Sequence, residues 1–127
     1  HKPAKGPLDA KLMRGGLVDV EFLVHYLQLR HGAGLAPHLG EAVRQLVEAG
    51  LLPEPMIAAH DCMARLLVAA RLLTHDTAQP SPAAQRALAN ACRSADWQGL
   101  MAQFAAARAT VGAAWHATFD QTLETDQ

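Results

Sequence analysis

The chain has 127 residues, of which 11 are basic and 12 acidic, and this balance argues against a platform that binds nucleic acid. Hydrophobic residues make up 50% of the sequence and aromatic residues only 5%, which favours helices over sheets in one domain with a single core. There is no signal peptide and no run of about 18 apolar residues, and the two cysteines are isolated, so we expect a soluble, cytoplasmic protein without a membrane partner.

The chain is predicted to consist of a linker, a helical domain and a short tail. Residues 1–10 hold two prolines and a glycine and are typical of an incoming linker. The helical domain is predicted over residues 11–123, and the tail over residues 124–127. Because the first residue is His1 rather than methionine, we expect a piece of a longer chain, a processed chain or a tagged one.

Residues 9–31, DAKLMRGGLVDVEFLVHYLQLRH, contain the most apolar predicted helix. The glycine pair Gly15 and Gly16 permits a tight turn, after which the helix should begin near Gly16 or Leu17. Its apolar positions cover more than half of the circumference, so we expect a central helix that the others cover. These positions are Leu17, Val18, Val20, Phe22, Leu23, Val24, Tyr26, Leu27 and Leu29. A polar strip is formed by Glu21, His25 and Gln28.

Asp19 lies outside that strip, in the first turn on the apolar side of the helix. One interpretation is that its carboxylate caps free N–H groups at the positive end of the helix. The other is that a carboxylate among apolar neighbours needs a cation, for which Lys11 and Arg14 are nearest in sequence. In the second case the loop folds back over the start of the helix as a basic, glycine-rich lip.

Four further helices are predicted from apolar spacing and from the residues that break it. They run from about residue 38 to 49, 54 to 75, 82 to 92 and 96 to 123. The helix from about residue 54 to 75 should be a second central helix, on whose surface Asp61 and Arg65 can pair at i and i+4. The predicted fold is therefore all-α, an antiparallel bundle of about five helices.

Caps and one charge mark the last two predicted helices. Ser81 is expected to cap the fourth, and Ser94 or Asp96 the fifth. Arg108 interrupts the apolar stripe of the fifth helix. It either extends its charge to water from the edge of the stripe or acts as a buried functional cation.

The candidate chemical groups do not form a complete active site. Asp19 and Glu21 are about 200° apart around a helix, so they cannot bind one ion together. Glu21 and His25, at i and i+4, are a weak indication of a metal site, against the alternative of a solvated strip. The glycine pair before a helix could hold an anion, although two glycines alone specify little.

Residues 9–31 closely resemble one segment of the bifunctional glutamine synthetase adenylyltransferase/adenylyl-removing enzymes. The pattern of that segment is D-[IL]-K-x-G-x-G-G-[IL]-x-D-I-E-F-x-x-Q-Y-L-x-L-R-H. Residues 9–31 are more loosely similar to the matching segment of the PII uridylyltransferases. Two other stretches, EAVRQLVEAGLLP at 41–53 and SADWQGLMAQFAAARATV at 94–111, also resemble that family. His25 stands where the family usually has Gln.

The resemblance implies a non-catalytic helical domain that follows a nucleotidyltransferase domain, here in the adenylylating half of an enzyme of nitrogen regulation. The family's catalytic G-S-x-x-D-x-D strand does not occur in this sequence. ATP and Mg²⁺ are implied for the parent enzyme, and the implied partners are the preceding domain, glutamine synthetase and the PII signal protein. Five positions are expected to abut the neighbouring nucleotide site or to order the loop beside it: Lys11, Gly15, Gly16, Asp19 and Glu21.

The resemblance therefore predicts that this chain alone transfers no AMP. A hypothesis from another class is a free-standing helical module whose exposed apolar stripe docks a partner helix. A small metalloenzyme that uses Glu21 and His25 is a third hypothesis.

Overall fold

The computed structural model describes residues 9–11, 13–74 and 80–119. They form five α-helices and no strand, which confirms the predicted all-α class. The helices are α1 (Leu17–His31), α2 (Leu39–Glu48), α3 (Pro55–Leu73), α4 (Pro82–Ala91) and α5 (Trp97–Phe119). The predicted tail lies outside the described residues, as do most of the predicted linker and the predicted helix ends at His75 and Leu123.

Three helix ends are stabilised by the residues that the sequence places there, one by a left-handed glycine and two by side-chain caps. Gly32 ends α1 in the left-handed conformation (φ 64°), with its N–H donating to the Gln28 carbonyl. The Ser81 hydroxyl accepts the Ala84 amide at 3.1 Å at the start of α4. Asp96 Oδ1 accepts the Gly99 amide at 2.7 Å, which identifies Asp96 as the cap of α5.

The central helix is α3, which packs against α1, α2, α4 and α5, whereas α1 packs against α2, α3 and α5. This confirms α3 as a central helix and corrects the expectation that the others cover α1. Of the apolar positions predicted for α1, Val20, Leu23, Val24 and Leu27 are buried. Its remaining apolar arc is not covered, because Phe22 is 58% and Leu29 88% exposed.

Helices α1 and α5 lie side by side and run in the same direction, as the first and fifth helices of an alternating bundle do. The Phe22 ring lies 5.3 Å from that of Trp115, and the Tyr26 ring lies 4.6 Å from that of Phe119. At the other end of the pair, Gly15 lies against Arg108. The parallel register brings the loop before α1 to the middle of α5.

The predicted surface pair between Asp61 and Arg65 is not formed. Asp61 Oδ2 instead binds Arg44 Nη2 of α2 at 3.3 Å, and Asp61 Oδ1 lies 3.1 Å from His60 Nδ1. Helix α2 packs against α3 and supplies this cation from a different element. Spacing within α3 alone therefore did not determine the partner of Asp61.

Candidate functional site

The candidate site is the segment before α1, residues 9–11 and 13–16, which we call the entry loop. It folds back over the start of the helix. The Leu17 amide donates to the Ala10 carbonyl at 2.8 Å, and the Val18 amide donates to the Lys11 carbonyl at 3.0 Å. The loop carbonyls thus satisfy helix amides that would otherwise lack partners. Ala10 is itself fully buried, so the loop is anchored in the core.

The two glycines of the entry loop allow close approach of the main chain. Gly15 has φ 80°, and the Gly16 amide donates to the Met13 carbonyl at 2.7 Å. A turn with glycine at this φ in its third position has type II geometry. A β-carbon on Gly16 would overlap the Ala10 carbonyl oxygen and lie 2.7 Å from that of Met13. Both positions therefore require glycine, for different reasons.

Asp19 reaches back from α1 to the entry loop. The residue is 5% exposed, and its Oδ2 accepts the Gly15 amide at 2.7 Å. Burial raises the pKa of the Asp19 carboxyl, while the bond from Gly15 and the charge of Arg14 act in the opposite direction. The second interpretation is supported, since the loop folds back over the start of α1 and the charge of Arg14 acts on the carboxylate, whereas the N–H that Asp19 accepts belongs to the loop and not to the helix.

Arg108 of α5 contacts the same turn from the other side. Its Nε–H donates to the Arg14 carbonyl at 2.9 Å, and its Cζ lies 5.8 Å from the centre of the Phe104 ring. The side chain is neither a deeply buried cation nor a simple surface charge. The sequence marked Arg108 as an interruption of an apolar stripe, but gave no indication that its partner lies 94 residues away.

The amides at the start of α1 are not open to an anion. Those of Gly15, Gly16, Leu17 and Val18 already donate to Asp19 or to loop carbonyls. A phosphate would have to displace these bonds in order to use them. This disfavours the predicted anion site at the glycine pair, and leaves exposed side chains as the groups through which the loop can meet a ligand.

The five predicted site residues fall into two groups. Gly15, Gly16 and Asp19 are buried and hold the loop together, whereas Lys11 and Glu21 are exposed. Arg14, which lies in the entry loop, is also exposed. Because Asp19 is buried and Glu21 is exposed, the structure agrees that the two carboxylates do not face one ion. No group of three or more His, Cys, Asp or Glu residues within 9–11, 13–74 and 80–119 is placed to hold a metal.

Two further features lie away from the entry loop. An apolar groove of about 640 Å³ follows α3, where Val68, Leu72 and Leu73 are exposed. The free thiols of Cys62 and Cys92 line a smaller cavity, and burial raises the pKa of both.

No helix in the described part of the chain has the length and apolarity needed to cross a membrane.

Comparison with known proteins identifies the family. The chain is 50% identical over 54 residues to a bifunctional glutamine synthetase adenylyltransferase/adenylyl-removing enzyme of Caulobacter vibrioides, and 46% identical over 56 residues to that of Bordetella bronchiseptica. Each match covers 40% of this chain and only 6% of the relative. No solved structure matches. The family model described as GlnD PII-uridylyltransferase matches residues 7–119, and the chain therefore belongs to this family.

Proposed function

We propose that this chain is the helical domain of an enzyme that adenylylates glutamine synthetase, and that its entry loop forms one wall of a nucleotide site in a preceding domain. Both curated relatives carry the adenylyltransferase name, which favours AMP over UMP as the transferred group. The observation that carries the loop's role is the buried bond from Gly15 to Asp19, because it fixes a loop that displays Lys11 and Arg14 to solvent.

The two exposed cations suit the phosphates of ATP. Each can interact with phosphate oxygens, Lys11 as a point charge and Arg14 through a planar fork of donors. Neither is a nucleophile or a general base here, so their role is to bind and orient the nucleotide. In this proposal Gly15, Gly16 and Asp19 set the loop's shape and do not touch the nucleotide.

Mg²⁺ is expected in the parent enzyme, as in other nucleotidyl transfers. The described residues offer no cluster of carboxylates to hold it. Its ligands are therefore assigned to the neighbouring domain, and no step of the reaction is assigned to this chain. The remaining proposed partners are glutamine synthetase and the PII signal protein.

The first test measures nucleotide binding in the full-length enzyme. Lys11→Ala and Arg14→Ala should each raise the KM for ATP by about tenfold, as expected when a charge-assisted contact is lost. The KM for glutamine synthetase should stay unchanged. Arg86→Ala removes an exposed arginine on α4 and is the matched control. If both loop variants keep the wild-type KM for ATP, the loop does not line the nucleotide site.

The second test concerns the chain alone. Incubated with ATP, Mg²⁺ and glutamine synthetase, the 127-residue chain should leave the synthetase unmodified. Incorporation of labelled AMP would show that the chain is itself catalytic, contrary to the proposal.

A free-standing interaction module is the second candidate, and the exposed apolar residues along α3 are the observation in its favour. Its occupant would be an amphipathic helix with a carboxylate placed to meet Arg65, which lines the groove. The residues encoded before His1 separate the two candidates. A nucleotidyltransferase domain there supports the first, and a natural start at His1 supports the second.

A further inference from the structure

A single peptide group in the entry loop is held from both sides by charged side chains of different helices. The carbonyl of Arg14 and the amide of Gly15 belong to one peptide bond. Arg108 of α5 donates to that carbonyl at 2.9 Å, and Asp19 of α1 accepts from that amide at 2.7 Å. Because a trans peptide points its C=O and N–H in opposite directions, the cation and the carboxylate lie on opposite sides of the peptide.

This peptide is the one that distinguishes two common turns. It lies in the middle of the turn from Met13 to Gly16, where Gly15 has φ 80°. Rotation of the central peptide by about 180° converts a type II turn into a type I turn, in which the third residue has φ near −90°. Glycine tolerates both values, so Gly15 does not by itself select one orientation.

The side chains of Asp19 and Arg108 select one orientation of this peptide. In the flipped orientation the Arg14 carbonyl would point toward the Asp19 carboxylate, and the Gly15 N–H toward the Arg108 guanidinium. Both contacts would be repulsive, and the buried carboxylate would lose its 2.7 Å bond. A flip therefore exchanges two favourable contacts for two unfavourable ones.

We propose that the Arg14–Gly15 peptide is a two-orientation element held by Asp19 and Arg108, and that Arg108 is a positioning residue for the entry loop. The effect on nucleotidyl transfer rests on the proposed function above. Arg14 supplies the carbonyl of this peptide, so the peptide's orientation sets the backbone from which the exposed Arg14 side chain extends. Arg108 acts on Arg14 from α5 without touching the nucleotide.

The structural test is amide hydrogen exchange at Gly15, measured by NMR on the full chain. Arg108→Ala should lower the protection of the Gly15 amide by about tenfold or more, the range for loss of a hydrogen bond to a charged group. The core amide of Leu23 reports global stability and should change less. Arg108→Lys keeps a cationic donor and should restore part of the protection. It can be measured in place of Arg108→Ala if the alanine variant folds poorly.

The control is Arg44→Ala, which removes a guanidinium bound to Asp61 on another part of the bundle and should leave Gly15 unchanged. The double variant Asp19→Ala with Arg108→Ala should show non-additive loss of Gly15 protection, because both side chains hold one peptide. Equal changes at Gly15 and Leu23 in Arg108→Ala, or additive losses in the double variant, would overturn the proposal.

Activity of the full-length enzyme gives the second readout. Arg108→Ala should raise the KM for ATP by up to about tenfold, the change expected when the cation it positions is displaced, and Arg108→Lys should recover part of the loss. Lower Gly15 protection with an unchanged KM for ATP would refute the positioning role of Arg108. The proposed function would then still be decided separately by the KM for ATP of the Lys11 and Arg14 variants.

Discussion

Gly15 packs directly on the main chain of Arg108, so that a β-carbon on Gly15 would lie 2.7 Å from the Arg108 carbonyl oxygen. The contact joins the loop before the first helix to the middle of the last. Neither partner can move easily, because one is a turn residue held by Asp19 and the other is helix backbone.

Gly15→Ala should lower the free energy of unfolding by about 2–4 kcal/mol, from left-handed backbone strain and from the steric overlap with Arg108. Gly50→Ala separates the two causes. Gly50 has a similar φ of 77°, but a β-carbon there would meet no atom within 4 Å, so only the strain of about 1–2 kcal/mol applies. Urea denaturation measures both, and equal losses would show that the contact with Arg108 costs nothing.

Asp19 should make stability depend on pH. Because burial raises its pKa above the ordinary value of 3.8, the folded protein keeps a proton at a pH where the unfolded chain has lost it. The contribution of Asp19 to the free energy of unfolding therefore falls as the pH rises from the ordinary pKa through the raised one. Asp19→Asn removes this titration, so wild type should lose stability relative to the variant over that range.

Urea denaturation at a series of pH values checks this sign. Glu21→Gln, which changes an exposed carboxylate on the same helix, is the control. A wild type that gains stability relative to Asp19→Asn as the pH rises would mean that the Gly15 bond and the Arg14 charge outweigh burial.

The helix caps give a third prediction. Ser81→Ala and Asp96→Ala should each cost about 1 kcal/mol, because each removes the side-chain acceptor of a helix amide. Gln98→Ala, at an exposed position in the first turn of α5, should change stability by less than about 0.5 kcal/mol. Urea denaturation compares the three variants, and cap losses no larger than that of Gln98→Ala would contradict the assigned caps.

The aromatic residues of the α1–α5 pair should contribute unequally. Phe104 is 3% exposed, and Phe104→Ala should cost about 3–5 kcal/mol through the cavity it leaves. Phe22 is 58% exposed and its ring contacts those of Trp115 and Phe119, so Phe22→Ala should cost about 1 kcal/mol. Thermal denaturation compares the two variants. A larger loss of stability in Phe22→Ala than in Phe104→Ala would contradict the prediction.

The helices could be located from the sequence because local residues determine where they begin and end. Gly32, Pro55, Ser81 and Asp96 act within one turn of their own positions, so their effect is independent of the rest of the fold. The buried side of α1 was predictable for the same reason, since its spacing is periodic along one element.

Relations between helices could not be predicted in this way. The apolar arc of α1 was wide, yet nothing in its spacing showed that Phe22 and Leu29 would stay exposed. Asp61 binds Arg44 of another helix instead of the arginine four residues away. The contact of Arg108 with Arg14 depends on the parallel register of α1 and α5, which only the packed bundle determines.

That register also separates the two ends of the described chain. The entry loop lies at the level of Arg108, whereas α5 ends at Phe119, beside Tyr26. At a rise of about 1.5 Å per residue, the two levels are about 16 Å apart along the bundle. A segment joined before the entry loop would thus meet the bundle beside the middle of α5, whereas a segment joined after α5 would extend from the end of that helix.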